Sequence, residues 1–467
     1  MFLNSKSPNI IVFGDIMLDH QIYGSIEKLA NEAPIPVLHK SNEKYSLGGC
    51  GNVLANLYSL GCNKLYLFSM NACDSAGKKL EELLDNYKII HYLIKNGNTT
   101  TIKHRFFCNN RIIFRYDEEE NTILQQKYED SIYEKFVNIL ENTSIDSIIF
   151  SDYNKGYLTD SLCKRIIAKA NMYNIFSIVD PKNNYEKYKY CSLIKPNRNE
   201  VKKIFDIDLS LNNLESTLLL IKEKVQCKNV VITLAEKGIC FLDEKYKYYF
   251  DETDPIDVID VTGAGDIVNS IISYFFPLVE KKEFIIKISS YLATKSVKYS
   301  GTYVLTHEDI LLALHHFNEN KLIYLDDCKY IKKPIIFTNG CFDILHKGHL
   351  ELLKFCKNNY KNSVVVVGLN SDSSIKRLKG ISRPINNLDS RIQMLNSIVW
   401  VDYILVFEED NPIELLKILQ PDVLVKGGDY TYDSILGKEY CKKVKIFNTL
   451  DGFSSTNIIK KINSLLF

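Results

Sequence analysis

Short apolar runs alternate with segments of helical periodicity along almost the whole chain. Runs at residues 10–13, 65–68, 148–150, 176–179, 193–194 and 230–233 predict strands, and apolar residues recur at helical spacing in 53–60, 161–173 and 216–225. Continuously apolar strands joined by crossover helices are typical of parallel sheets that helices cover on both faces. The alternation therefore predicts an α/β fold.

A second series of strands and helices follows a charged stretch near residue 321. Strands are predicted at 335–338, 363–368, 403–406 and 423–425, with a helix at 348–358. A chain of 467 residues is long enough for two domains of this kind. We predict one domain over residues 1–320, a linker over 321–333 and a second domain over 334–467.

One segment departs from the α/β pattern. Residues 99–107 and 111–116 alternate polar and apolar side chains around Asn109-Asn110, which predicts an antiparallel hairpin. Its cations, among them Lys103 and Arg105, suit a phosphorylated ligand. Charges that guard a solvated edge strand are an equally good explanation from composition alone.

Composition disfavours several classes of protein. The net charge of +1 gives no field that attracts nucleic acid or anionic membranes. The 12 cysteines include no Cys-x-x-Cys pair, so free thiols in a reducing compartment are expected. The apolar stretch at 271–279 is far shorter than the roughly 20 residues that span a bilayer. We predict a cytoplasmic protein without nucleic-acid partners or membrane insertion.

The turn Gly263-Ala264-Gly265-Asp266 has the composition of an anion site. Small residues let backbone N–H groups approach a phosphate, and a helix that begins there adds its dipole. Asp266 would then lie beside the transferred phosphate and accept the proton of an attacking hydroxyl. Taken alone, the tetrapeptide is better explained as a glycine-rich turn with a capping aspartate.

Two further patterns favour the catalytic interpretation. Gly48-Gly49 precedes a helical segment that contains Asn52, and Asn197-Arg198-Asn199-Glu200 follows Lys195-Pro196. Together with the Asp266 turn, they resemble the signatures of the ribokinase-like (PfkB) carbohydrate kinases, over roughly residues 8–315. The resemblance implies a three-layer α/β/α domain with a small β flap.

This family resemblance assigns roles to individual residues. It makes Asp266 the catalytic base, with an anion hole formed by Gly263, Ala264 and Gly265. It implies that ATP and magnesium, the latter held by Glu200 through its waters, meet Asn197, Arg198, Asn199, Glu200, Thr233, Lys237 and Gly238. It implies a sugar-phosphate site made of Asp15, Asp19, Gly48, Gly49, Asn52, Lys103, Arg105, Asp152 and Lys155. Judged as residues alone, Asp15 and Asp19 also fit turn or cap positions.

The second domain begins with a different phosphate motif. The segment Thr338-Asn339-Gly340-Cys341-Phe342-Asp343 leads into His346-Lys347-Gly348-His349. Two histidines about one helical turn apart can donate to the same phosphate as pyrophosphate leaves. An isolated His-x-x-His pair is more often metal-binding or structural, but no third ligand is apparent in the sequence. The strand–loop–helix context indicates phosphate.

This motif resembles the His-x-Gly-His nucleotidyltransferases of cytidylyltransferase type, over residues 334–467. The resemblance implies a Rossmann-like α/β domain in which His346 and His349 are catalytic. It adds nucleotide-binding positions at Thr338, Asn339, Gly340, Phe342, Asp343, Gly348, Lys379, Arg383, Arg391, Gly428, Asp429, Ser455 and Thr456. For Ser455 and Thr456, an ordinary helix N-cap is the alternative.

A sugar-phosphate kinase followed by a nucleotidyltransferase resembles the bifunctional heptose-phosphate enzymes of Gram-negative bacteria. The resemblance implies phosphorylation of D-glycero-β-D-manno-heptose 7-phosphate at C1 by ATP. It then implies transfer of AMP from ATP to the heptose 1-phosphate, giving pyrophosphate and ADP-heptose for lipopolysaccharide core. Magnesium and a homodimer through the kinase half are also implied. The competing prediction is a kinase for another sugar phosphate fused to a CTP-using transferase, because no motif reads the base.

Overall fold

The computed structural model describes residues 7–447, apart from 110, 254–256, 300, 318–320, 324, 326–327, 329–330, 332–333, 361 and 429–430. The chain divides into two compact units, Met1–Ala313 and Leu314–Phe467. Each unit has its own sheets and its own apolar core.

The described strands of the first unit form a large mixed sheet and a smaller one. They are β1 (Asn9–Gly14), β2 (Ile16–Leu29), β3 (Pro36–Gly49), β4 (Lys64–Asn71), β5 (Ile90–Lys95), β6 (Ile102–Cys108), β7 (Arg111–Glu118), β8 (Ser147–Ser151), β9 (Phe176–Asp180), β10 (Leu193–Ile194), β11 (Asn229–Thr233), β12 (Ile239–Leu242) and β13 (Tyr248–Asp251). The large sheet has the order β13-β12-β11-β10-β9-β8-β1-β4-β5. It is parallel from β11 to β5, and β12 and β13 join it antiparallel. The predicted parallel α/β architecture is confirmed.

Helices cover both faces of the large sheet. They are α1 (Cys50–Ser59), α2 (Ser75–Asn86), α3 (Gln126–Asn142), α4 (Asp160–Met172), α5 (Arg198–Phe205), α6 (Leu214–Val225), α7 (Ala264–Phe275), α8 (Lys282–Ser296) and α9 (His307–Phe317). On the face of α3, α4 and α6, Phe13 stacks on Phe68 and Phe150 with ring centroids 4.8 and 5.8 Å apart. Ile10 and Val12 of β1 are buried as well. Neighbouring strand residues point to opposite faces, so this apolar run is covered on both sides.

The smaller sheet, called the flap sheet below, has the order β3-β2-β6-β7. Strands β6 and β7 pair antiparallel, which confirms the predicted hairpin. The long antiparallel pair of β2 and β3 was not predicted. Strand β2 also pairs parallel with β6, and this register puts Asp19 opposite Lys103. The flap sheet therefore brings together residues that are more than 80 positions apart in the sequence.

The second unit is a smaller parallel α/β domain. Its described strands are β14 (Ile335–Gly340), β15 (Val364–Asn370), β16 (Tyr403–Phe407), β17 (Val423–Gly427) and β18 (Lys443–Phe447), in the order β16-β15-β14-β17-β18. Its described helices are α10 (Lys347–Asn358), α11 (Asp372–Lys379), α12 (Leu388–Asn396) and α13 (Ile413–Leu419). The strand order reverses between β14 and β17, and ligands of such sheets bind where the order reverses.

Part of the predicted linker packs on this second unit. Ile323 donates its N–H to Ile404 of β16 at 2.9 Å, and Ile404 donates to the carbonyl of Lys321 at 2.8 Å. The side chains of Ile323 and Cys328 are buried in one of the cores of the unit. The linker bounds 321–333 and the domain bounds stay a prediction, since contacts do not measure independent folding.

These contacts predict a difference between two fragments. A fragment of residues 332–467 lacks the buried Ile323 and Cys328 side chains that a fragment of residues 314–467 retains. We expect its free energy of unfolding to be lower by about 2–4 kcal/mol, from lost apolar burial and backbone hydrogen bonds. Urea unfolding of both fragments measures this difference. Equal values would mean that residues 314–331 add no stability.

Candidate active sites

Asp266 lies in the first turn of α7 with both carboxylate oxygens hydrogen-bonded. Asn52 donates from Nδ2 to Oδ2 at 2.9 Å, and the Tyr153 hydroxyl donates to Oδ1 at 2.7 Å. Asp266 is 5% exposed, and burial raises the pKa of its carboxyl to about 6, although the two donors oppose the shift. A carboxyl that titrates near neutral pH suits a general base.

The turn before Asp266 is shaped for close approach. Gly263 is the N-cap of α7 with a φ of +85°, and a Cβ there would lie 2.7 Å from Asn52 Nδ2. Behind the turn, Lys195 Nζ is buried 3.0 Å from Asp180 Oδ1. Burial disfavours its charge, but Asp180 and Glu200 outweigh burial and raise the pKa of Lys195. A fixed cation and a helix N-terminus therefore meet at the glycine turn.

Asn197 and Glu200 form a capping box at the start of α5. Each donates its backbone N–H to the side chain of the other at 2.9 Å, and Lys182 Nζ donates to the second Glu200 oxygen at 3.1 Å. Burial raises the pKa of Glu200, and the charge of Asp180 raises it further. Among the described residues, no group of three His, Cys, Asp or Glu could hold a metal. Two neighbouring carboxylates fit Mg²⁺, which keeps waters and substrate phosphates as ligands.

The other predicted ATP residues of the kinase lie at the end of β11, in the turn that follows it and at the start of α5. Thr233, at the end of β11, forms an isolated parallel bridge with Asn197. Gly238 has a φ of +101°, and Lys237 directly precedes it. Arg198 and Asn199 are exposed on α5, and Arg198 donates to the carbonyl of Leu209. The structure therefore brings Thr233 to Asn197, whereas the Arg198 side chain is held by the backbone of its own unit.

The predicted sugar-binding residues of the flap sheet converge on one carboxylate. Arg105 Nη1 donates to Asp19 Oδ1 and the Thr302 hydroxyl donates to Oδ2, both at 2.6 Å. A Cβ on Gly48 would lie 2.8 Å from Asp19 Cγ, and Gly49 has a φ of +57°. Glycine at these positions lets the β3–α1 turn pass directly against the buried ion pair.

Asp15 and Asp152 hold the loop that contains Tyr153. Asp15 Oδ2 accepts from the backbone N–H groups of Tyr153 and Lys155 at 2.8 and 3.1 Å. Asp152 accepts from the Tyr188 hydroxyl at 2.7 Å, and both aspartates are buried. These contacts match the alternative interpretation of Asp15 as a turn residue, and a sugar contact by Asp15, Asp152 or Lys155 stays a prediction.

The two histidines of the second unit form a stacked pair. His346 is the N-cap of α10, and its ring lies 3.9 Å from that of His349 between centroids. Both Nδ1 atoms are buried and lack a hydrogen-bond partner among the described residues. Burial lowers the pKa of both, and for His349 the neighbouring His346 and Lys379 help to lower it to about 4. Neutral rings with unsatisfied buried nitrogens are typical of a site that a ligand completes.

The chain that leaves β14 contacts this pair through Phe342. Thr338 is fully buried, and its hydroxyl has no hydrogen-bond partner in the described part of the chain. Strand β14 ends with Asn339 and Gly340, and the Phe342 ring then packs 4.9 Å from His349. The buried Gly348 separates the histidines. Phe342 therefore packs against the histidine pair, and a shared nucleotide site with Thr338, Asn339 and Gly340 stays a prediction.

Two predicted cations of the transferase are engaged in ion pairs. Arg383 Nε donates to Asp343 Oδ2 at 2.6 Å, and the backbone N–H groups of Ile385 and Asn386 donate to Oδ1. Arg391 is fully buried and donates to Asp372 at 2.6 Å, to the carbonyl of Cys341 after β14 and to that of Asn370 at the end of β15. Both arginines fix loops in this structure, and their contact with a nucleotide stays a prediction.

The remaining transferase predictions are only partly described. Gly428 follows β17 and donates to the carbonyl of Phe447 at 3.2 Å, and Lys379 is exposed at the end of α11. Asp429, Ser455 and Thr456 lie outside the described residues.

Comparisons with known proteins match both halves. The pfkB family of carbohydrate kinases matches residues 7–309, and the cytidylyltransferase-like family matches residues 337–461. "Bifunctional protein HldE" of Aliarcobacter butzleri (strain RM4018) is 37% identical over 475 residues, which cover 98% of both chains. The chain belongs to the HldE family. Another member, from Helicobacter pylori (strain HPAG1), is 38% identical over 97% of this chain and 98% of its own.

Membership of the HldE family confirms the two predicted enzyme classes. The chain is a bifunctional enzyme with a carbohydrate kinase domain and a nucleotidyltransferase domain. Phosphofructokinase-2 from Escherichia coli superimposes with a TM-score of 0.56 at 16% identity, covering 67% of this chain and 99% of its own. Ribokinase from Thermotoga maritima gives 0.51 at 16% identity, covering 66% and 99%. These likenesses confirm the ribokinase-like fold. None of the described helices is long and apolar enough to cross a membrane.

Three site residues of this HldE family member were not predicted as ligands. Tyr153 bonds the Asp266 carboxylate, Lys195 lies behind the glycine turn, and Asp180 pairs with Lys195. Lys195 directly precedes the Pro196-Asn197 pattern, and Tyr153 follows a predicted strand in Ser151-Asp152-Tyr153. Their positions next to predicted motifs indicated that they could belong to the site. Nothing in the sequence alone indicated that these side chains lie near Asp266.

Proposed function

We propose that this enzyme carries out two ATP-dependent steps of ADP-heptose biosynthesis. The kinase half phosphorylates D-glycero-β-D-manno-heptose 7-phosphate at C1. The transferase half joins AMP from ATP to D-glycero-β-D-manno-heptose 1-phosphate and releases pyrophosphate. The observation that carries this proposal is the near-full-length match to bifunctional HldE proteins together with intact Asp266, His346 and His349. A phosphatase must act between the steps, because the kinase product still carries its 7-phosphate.

In the kinase step, Asp266 takes the proton of the C1 hydroxyl as the hydroxyl oxygen attacks the γ-phosphorus of ATP, and the bond from this phosphorus to ADP breaks. The α7 N-terminus at Gly263–Gly265 and the buried Lys195 ammonium stabilise the transferred phosphoryl group. Asn52 orients the base by its hydrogen bond to Oδ2. The sugar phosphate binds at the flap sheet, where Lys103 supplies positive charge beside the buried Asp19–Arg105 ion pair.

Magnesium is the proposed cofactor of both halves. In the kinase half, Glu200 and Asp180 would hold it through its waters, and it would supply positive charge to the triphosphate. The nucleotide side of this site is formed by Asn197, Thr233, Lys237 and Gly238. The chain itself contributes the fixed carboxylate positions, which the Asn197–Glu200 capping box maintains.

In the transferase step, the heptose 1-phosphate oxygen attacks the α-phosphorus of ATP and the bond to pyrophosphate breaks. His346 and His349 donate hydrogen bonds from their neutral rings to the phosphate oxygens as charge develops. Thr338 and the backbone after β14 line the same place. Lys379, Arg383 and the proposed Ser455–Thr456 contact would hold the leaving pyrophosphate.

Phosphate-resolved product analysis tests the proposed function. The enzyme is incubated with heptose 7-phosphate, ATP and magnesium, with and without a heptose-bisphosphate phosphatase. We expect only the bisphosphate without the phosphatase, and ADP-heptose with it. Replacing ATP by CTP in the second step should remove the product. Turnover of another sugar phosphate but not heptose would leave both folds and refute the pathway.

The kinase is expected to lose activity below a pH of about 6. Burial raises the pKa of Asp266 to about 6, and only the ionised carboxylate can accept the hydroxyl proton. The kcat/KM for heptose 7-phosphate should therefore rise with pH and be half-maximal near that value. Transferase activity in the same samples is the control, because it shares ATP and magnesium but not Asp266. An identical acid limb in both activities would contradict this assignment.

We also propose a cytoplasmic homodimer that forms through the flap sheet. Apolar side chains on β7 are unusually exposed, with Phe114 at 60% and Tyr116 at 51%. Phe114→Asp should weaken dimerisation by about 100-fold, the effect of losing a central aromatic anchor. Analytical ultracentrifugation measures it, with Ile123→Asp, at an exposed position outside the flap sheet, as the control. A wild-type monomer would refute the proposal.

A further inference from the structure

Tyr153 lies directly beside Asp266, the proposed base of the kinase. Its phenol donates to Asp266 Oδ1 at 2.7 Å, while Asn52 already donates to Oδ2. Burial and the Asp266 charge raise the pKa of Tyr153 well above its usual value, so the phenol keeps its proton and acts as the donor. Both oxygens of the base therefore have a donor from the protein before any substrate is present.

We propose that Tyr153 is a specificity-determining residue that covers the Asp266 carboxylate until the sugar hydroxyl replaces its phenol. The proposal rests on the kinase function proposed above and concerns how water is excluded from the phosphoryl-transfer reaction. A water molecule at Oδ1 could give its proton to Asp266 and add to the γ-phosphorus of ATP. The bond to ADP would break, and ATP would be hydrolysed to ADP and phosphate without sugar. The phenol excludes water from that position.

The sugar phosphate, unlike water, has a means to move the phenol. Lys103 Nζ of the flap sheet lies 5.6 Å from the centroid of the Tyr153 ring, within range of a cation–π contact. A phosphate that pairs with Lys103 would weaken this contact and free the ring. Asp15 fixes the Tyr153 backbone, whereas the half-buried side chain is held by its phenol hydrogen bond to Asp266 and by the contact with Lys103. Rotation of the side chain can thus uncover Asp266 without moving the loop.

The test is Tyr153→Phe, with Tyr157→Phe as the matched control. Tyr157 is fully buried four residues later, and its hydroxyl has no partner among the described residues, so this change removes the same atom without touching Asp266. We measure ATP hydrolysis without sugar and sugar phosphorylation at saturating substrate. Tyr153→Phe should raise the ratio of hydrolysis to phosphorylation by about tenfold, the factor expected for one hydrogen bond to a charged group. Tyr157→Phe should leave it unchanged.

A second readout separates positioning from a general structural effect. Losing the phenol removes a hydrogen bond that stabilises the ionised carboxylate, so the acid limb of kinase kcat/KM should move to higher pH in Tyr153→Phe. An unchanged ratio and an unchanged acid limb, in protein with a wild-type thermal midpoint, would overturn the proposal. The sugar-free arm does not depend on which sugar is the substrate. Failure of heptose phosphorylation in the wild type would therefore refute the proposed function without deciding the role of Tyr153.

Discussion

Asp266→Asn should lower kinase turnover by about 100- to 10,000-fold, the range expected for loss of a general base. The amide keeps the shape of the carboxylate but cannot take the hydroxyl proton. It can still accept a hydrogen bond from Asn52 or Tyr153, the two donors to Asp266. The loss should therefore appear in kcat more than in the KM for heptose 7-phosphate. Coupled measurement of ADP release at saturating substrates determines both constants.

Three controls make this result specific. Asp257→Asn changes the same charge at an exposed position of the preceding loop and should keep full kinase activity. Transferase activity of Asp266→Asn should equal that of the wild type. Its thermal midpoint at pH 8 should not fall, because the carboxyl pKa of about 6 means that the ionised group is disfavoured in the folded state. The free-energy cost of the ionised carboxylate in the folded state is present above the folded-state pKa. It disappears as the pH falls below the ordinary pKa of an aspartate. A kinase that keeps more than a tenth of its turnover would exclude Asp266 as the base.

His346→Ala should lower adenylyl transfer by about 100- to 1,000-fold and leave the kinase unaffected, by analogy with removing one donor to a developing charge. His346 and His349 rings stack 3.9 Å apart, and their buried Nδ1 atoms lack partners within the described residues. Two donors to one phosphate act as a unit. We therefore expect the double variant with His349→Ala to be much less impaired than the product of the single losses. Pyrophosphate release measures all three variants.

Leu350→Ala is the matched control for this helix. Leu350 lies next to His349 on α10, but its side chain is 38% exposed, so truncation should not disturb the cluster. Strictly multiplicative losses in the double variant would mean that the two histidines act at separate places. Loss of kinase activity in His346→Ala, in protein with a normal thermal midpoint, would contradict the assignment of separate sites.

Much of the fold was predictable because a strand that is buried on both faces appears in the sequence as a continuous apolar run. The runs that became β1, β4, β8 and β14 are continuously apolar, and each is buried in its sheet. The long strands β2 and β3 were missed because most of their outer residues are exposed or half-buried. Only the first six residues of β2 and the last three of β3 are buried, so no apolar run marks the length of either strand.

The site was predictable where a backbone shape demands a residue type. Turns and helix starts constrain the sequence locally, so residues at such positions can be predicted. Examples are Gly263, which has a positive φ, and Asn197 and Glu200, which form a capping box. Tyr153 and Lys195 were missed for the opposite reason. A tyrosine after a strand and a lysine before a proline are ordinary, and only their contacts with Asp266 and Asp180 place them in the candidate site.

The sequence by itself determined the two enzyme classes, their order and the layered α/β character of both halves, and it predicted a phosphate site in each half. Those properties follow from local rules, namely glycine geometry, helix capping and the periodicity of burial. Only the tertiary structure decided which charges are already paired. Asp19 with Arg105, Asp343 with Arg383 and Asp372 with Arg391 join residues from different elements. Such pairing depends on sheet order and register, which a single sequence does not encode at any one position.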